Sequence, residues 1–164
     1  MRRDKNLIPL SHQHQHALAL CVRIERASPI PPDDLGAWQA EIVHLVQSEI
    51  AVHFAAEEQI VFPAAENFEE LKPLVTQLIS EHTSLRTMFA NVQEGGLSAK
   101  DILVLAGTLS THIRKEERQL FERMQQLLNN EELGVLGSKL ESALKDSEES
   151  CRLPSETTRL RPLK

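Results

Sequence analysis

The chain has 164 residues, 41% of them hydrophobic and 26% charged, with a formal net charge of −6, seven histidines, one tryptophan and no tyrosine. That length suits one domain with a sizeable core, and the acidic balance without a Lys/Arg block argues against a nucleic-acid surface or an anionic membrane as the main partner. No apolar run reaches the ~20 residues of a membrane span, and the opening MRRDKNLIPLSHQHQH turns polar where a signal peptide would carry its apolar stretch, so a cytoplasmic protein is expected.

Apolar residues recur at threes and fours with no sustained alternation, which predicts helices throughout. The first runs from Ser11 to Ala27 and is ended by SPIPPDD, whose prolines forbid continuation. In its SHQHQH run, His14 falls on the apolar line Leu10, His14, Leu18 and Cys21. His12 and His16 turn toward Ala19, Arg23 and Arg26. His14 is therefore the inward candidate, with His16 as the alternative. Cys21 reads as a small core thiol, and both it and Cys151 are expected to be free.

The second helix starts at Asp33 or Asp34 as N-cap and runs to Phe62, before Pro63. Its inward line is Val46, Ile50, His53, Glu57 and Ile60. His44 lies about half a circle away from His53 on a helix of ~100° per residue, so the spelling Glu41-x-x-His44 points to the wrong side. The third helix takes Pro73 into its first turn and ends at Gln93 before Gly95 and Gly96. Val75, Leu78, His82, Leu85, Phe89 and Val92 make a seam with a single polar member. The fourth opens at Ser98, spaced as a capping box with Asp101, and reaches Leu128 along Leu105, Leu109, His112, Glu116 and Leu120. A short helix over Glu131 to Lys145 follows, then a polar segment, 149–164, expected to be a mobile tail beyond a domain of residues 1–148. Short connections between such helices predict an all-α, up-down-up-down antiparallel four-helix bundle with a short extra C-terminal helix.

HFAAEEQIVF, from His53, is echoed by HIRKEERQLF, from His112. In each copy the His and the Glu four residues later share a face, and that face is the apolar one. Glu58 and Glu117 rotate one residue further and are expected on solvated surface, as are Arg23, Arg26, Arg114, Lys115 and Arg118. Phe62 and Phe121 are expected to pack in the core. Two carboxylates among four imidazoles, with no Lys or Arg on the same lines, require a cation, because an uncompensated buried carboxylate costs several kcal/mol. Imidazole and carboxylate suit Fe, Zn, Mn or Cu, and the set His14, His53, Glu57, His82, His112 and Glu116 exceeds the usual four ligands of a structural zinc site. Two metals bridged by carboxylates fit best.

These residues, with Glu81-His82 and Leu85, resemble the hemerythrin-like HHE cation-binding domain in the same order over residues 7–128. The resemblance implies a non-haem di-iron centre, two Fe per chain, with Zn or Mn as substitutes. Reversible O2 carriers of that family carry a second His one turn before the counterpart of His82; Leu78 stands there in this chain. The resemblance therefore implies an iron, O2 or NO sensing, binding or buffering protein rather than an O2 carrier, and not chiefly an enzyme. The alternative is a di-iron oxidase or peroxidase-like enzyme that uses the open coordination position.

Overall fold

A computed structural model describes residues 2–145, 147 and 153–162. Five helical stretches and no strand occur among them. Helix α1 is Ile8–Ala27, with Pro9 in its first turn, where the missing N–H costs nothing. A single 3₁₀ turn, Pro32–Asp34, leads into α2, residues 35–65. Asp34 occupies the N-cap position as expected, but its side chain bonds no helix N–H.

Helix α2 continues through Pro63 to Ala65 instead of ending at Phe62. The reason is local: Glu57–Val61, just before the proline, is a π-turn with i→i+5 bonding. That wider turn moves the preceding carbonyls away from the pyrrolidine ring, which would clash in a regular helix. A second π-turn in α2 spans Val46–Ile50.

Helix α3 is Lys72–Gln93, and Gly95 at φ 79° turns the chain after it, a backbone state that favours glycine. Helix α4, residues 99–127, begins with the predicted box, in which Ser98 accepts from the Asp101 N–H and Asp101 from the Ser98 N–H. It contains the π-turn Glu116–Phe121. Helix α5, Asn130–Leu144, is capped in the same way by Asn129 and Glu132.

Helix α1 packs along α4 and α2 along α3, while α5 lies against α2 and α1. Their apolar faces form two clusters. One contains Leu20, Ile24, Trp38, Ile42, Leu85, Phe89, Ile102 and Leu109. The other contains Leu7, Leu10, Phe62, Leu78, Leu120, Phe121 and Leu140, so Phe62 and Phe121 are core residues as predicted. At about 1.5–3 kcal/mol per buried side chain, these clusters can carry a polar layer between them.

From the segment read as a tail, Thr158 is buried, its carbonyl accepting from Arg23 at 2.7 Å, and Arg161 lies 3.5 Å from Asp34. Cys151 lies outside the described residues. No helix among the described residues is long and apolar enough to cross a membrane.

Candidate metal centre

Between the two apolar clusters, the four long helices each turn one imidazole inward: His14 from α1, His53 from α2, His82 from α3 and His112 from α4. Glu57 and Glu116 join them, and both are fully buried. Each of these glutamates opens a π-turn. Widened turns of this kind occur frequently at functional sites. The surrounding walls are aromatic, with Phe54 stacked 3.7 Å from His82 and Phe121 5.6 Å from His14.

The inward atoms fall into two groups. His14 Nε2 and His53 Nε2 face each other at 2.9 Å. His82 and His112 form the second group, with ring centroids 4.8 Å apart. Each carboxylate sends one oxygen to each group. Glu57 Oε1 lies 3.2 Å from His53 Nε2 and Oε2 lies 3.4 Å from His82 Nε2. Glu116 Oε2 lies 3.3 Å from His14 Nε2, and its Oε1 lies 3.2 Å from His112 Nε2 and 3.7 Å from His82 Nε2. His14, His53, Glu57 and Glu116 are close enough together to hold one ion, and His82, His112 and Glu116 another.

The outward nitrogens settle the tautomers. His14 Nδ1–H donates to Glu117 at 2.7 Å, His82 Nδ1–H to Glu58 at 2.8 Å and His112 Nδ1–H to Glu81 at 2.8 Å. His53 Nδ1–H donates to the Gln13 carbonyl oxygen at 2.9 Å. With Nδ1 occupied as a donor, every Nε2 of a neutral ring presents a lone pair to the interior, the arrangement found in metal-bound histidines.

Glu58 and Glu117 are therefore not the solvated surface residues expected from their rotation. One residue beyond an inward glutamate, about 100° around the helix, points toward the neighbouring helix in a bundle rather than toward water. Glu58 of α2 serves His82 of α3, and Glu117 of α4 serves His14 of α1. Lys115 is also more than a solvated cation, since it pairs with Glu81, and Arg23 pairs with Glu41. Arg114 and Arg118 are exposed as expected. The repeat of the whole Glu-Glu doublet was the available signal for the outer carboxylates; Gln13 and Glu81, each the residue before an inward histidine, had none of comparable strength.

His16, the alternative on α1, faces elsewhere and lies 3.0 Å from the buried Glu49. His12 is exposed, and His44 borders a surface hollow with His16 and Glu41, apart from the buried group. Leu78, one turn before His82, is fully buried.

The electrostatics call for positive charge. Burial alone would push the His14 imidazole down, but the carboxylates of Glu116 and Glu117 outweigh it and raise His14 to about 9. His82, also opposed by burial, is raised to about 10 by Glu116 and Glu57, and His112 is raised by Glu116 and Glu81. Burial and Glu116 act to raise Glu57, yet His53 and His82 hold it below the usual carboxylate range. Glu116, against burial, is held well below it by His112, His14 and His82. Cys21 takes no part: burial pushes its thiol up to about 12.

The donor set fits metal on two observations. All four oxygens of Glu57 and Glu116, with the Nε2 atoms of His82 and His112, are buried without a hydrogen-bond partner among the described residues. Such groups cost roughly 1–3 kcal/mol each unless something satisfies them, more when charged. Second, two nitrogens each about 2.1 Å from one ion at right angles lie about 3.0 Å apart. The His14–His53 separation of 2.9 Å matches.

The hemerythrin HHE cation binding domain family matches the chain over residues 9–125. No curated protein and no solved structure matches it. The match spans most of the chain, all four long helices and the whole buried cluster, and the chain belongs to this family.

Proposed function

We propose that this hemerythrin-family chain is a non-haem di-iron-binding protein of the cytoplasm that senses, binds or buffers iron, O2 or NO. The observation that carries the proposal is the pair of carboxylates, each dividing its two oxygens between two histidine pairs. His14 and His53 would hold one iron, His82 and His112 the other, with Glu57 and Glu116 shared between them; zinc or manganese would substitute. Iron held this way supplies a redox-active centre with affinity for small diatomic ligands.

The residues of the chain do the rest. The outer partners of the histidines orient each ring and keep its Nδ1 protonated, so that Nε2 is free to ligate. Phe54, Phe62 and Phe121 shield the centre from bulk water. Leu78 contributes no donor beside His82, which supports an open coordination position there and favours one alternative, a di-iron oxidase or peroxidase-like activity.

Metal content and the visible spectrum of iron-loaded protein, without and then with O2, test the reading. Two irons per chain, one for each histidine pair, and a charge-transfer band that appears with O2 and fades on degassing are expected. A band that decays irreversibly while peroxide is consumed would select the enzyme instead. Protein that takes up no metal would refute both.

A further inference from the structure

Three of the four inward histidines are backed by a carboxylate, and each carboxylate has its own cation. His14 leans on Glu117, which is bonded by Arg3; His82 on Glu58, bonded by Arg86; His112 on Glu81, bonded by Lys115. His53 differs. Its partner Gln13 is a neutral amide, 8% exposed, whose Nε2–H donates to Ser147 Oγ at 3.0 Å. Ser147 in turn donates to the Leu144 carbonyl at 2.7 Å. A carbonyl can only accept, so the direction of the whole chain is set from its far end. Gln13 must present its oxygen to His53.

The odd member stands at a corresponding place. On α3, Glu81 precedes His82 and serves His112 of α4; on α1, Gln13 precedes His14 and serves His53 of α2. The cation is exchanged together with the acid. Lys115, three residues after His112, neutralises Glu81, whereas three residues after His53 stands Ala56, 3% exposed. One half of the centre thus carries a charged, compensated support, and the equivalent support in the other half is neutral.

A carboxylate behind an imidazole raises its basicity as a ligand more than an amide does. With both glutamates shared, each position has two imidazoles and two carboxylate oxygens. From the outer partners we therefore infer that the two metal positions are unequal, the His82/His112 position binding tightly and the His14/His53 position weakly, and that Gln13 is the positioning residue that sets the difference. The inference rests on the two-metal reading above. The centre fills stepwise, His82/His112 first, and the second ion is the exchangeable one, which suits a buffer or sensor more than a permanently loaded cofactor.

Titration of metal-free full-length protein with Co²⁺, followed by calorimetry and by the visible cobalt spectrum, decides the matter. Repulsion between two ions would split even equal positions, so the assignment depends on which substitution moves which step. In Glu81→Gln the first step should weaken by about 10–100-fold, the usual cost of losing an outer partner of a metal ligand, and the two steps should draw together. Gln13→Glu should leave the first step in place and tighten the second. If Gln13→Glu does not fold, Glu81→Gln still decides. A first step untouched by Glu81→Gln, or strengthened by Gln13→Glu, overturns the inference while leaving a two-metal centre intact. Uptake of no Co²⁺ by the wild type overturns the two-metal reading itself, and this inference with it.

Discussion

Replacing Glu116 with Gln should weaken the binding of two ions by changing one residue. Glu116 Oε2 lies 3.3 Å from His14 Nε2 and Oε1 3.2 Å from His112 Nε2, so both positions lose an anionic ligand while side-chain volume is kept. With free metal at one hundred times the Kd of the weaker position, each filled position stabilises the fold by about 2.7 kcal/mol or more, and two give at least about 5. For a chain of this size that raises Tm by about 10–20 °C over the metal-free protein. Loss of an outer partner alone weakens metal binding by about 10–100-fold, so loss of a direct ligand should reach at least the upper figure. At the same metal concentration the weaker position would then contribute only about 0.4 kcal/mol, and the rise in Tm would shrink by more than half. His112→Ala strips one position and should keep about 3 kcal/mol. Thermal melts with and without chelator, alongside metal analysis, separate these outcomes. If Glu116→Gln retains one ion at wild-type affinity, Glu116 does not bridge and the division of its oxygens has been misread.

The metal-free protein should lose stability at alkaline pH. His14 and His82 are raised to about 9 and about 10 from 6.5, so their contribution is complete below pH 6.5 and disappears as pH rises through those values; urea melts in chelator at pH 6, 8 and 10 should show the fall, and metal should abolish it. Glu117, held at about 2 by His14, Ser11 and Arg3 against burial, contributes stability above pH 4.5 that is lost as pH falls through about 2, which acid titration of the metal-free protein would follow. Leu78→Ala should destabilise the fold by about 2–5 kcal/mol by leaving a cavity, yet keep both ions in metal analysis. Ser98→Ala, at the cap of α4, should cost about 1 kcal/mol in the same melts and leave the metal content unchanged.

The inward face of each long helix could be read from the chain alone, because helical periodicity makes residues three and four apart neighbours whatever they later pack against. That is why His53 with Glu57, His112 with Glu116, and His82 within its apolar seam were identifiable, and why the Ser98–Asp101 cap was found from spacing. Pro63 misled for a related reason. The rule that proline stops a helix assumes regular turns, and no single residue announces the π-turn before it.

Periodicity says which way a side chain leaves its own helix but not what the neighbouring helix brings to meet it. The apolar line already favoured His14 over His16, but only packing decided that the histidines pair as His14 with His53 and His82 with His112, and that Glu58 and Glu117 turn inward to the next helix. Gln13 shows the limit most clearly. In the sequence it is one polar residue in SHQHQH; in the fold it is the acceptor behind His53, because Ser147, 134 positions away, holds its amide by the other end.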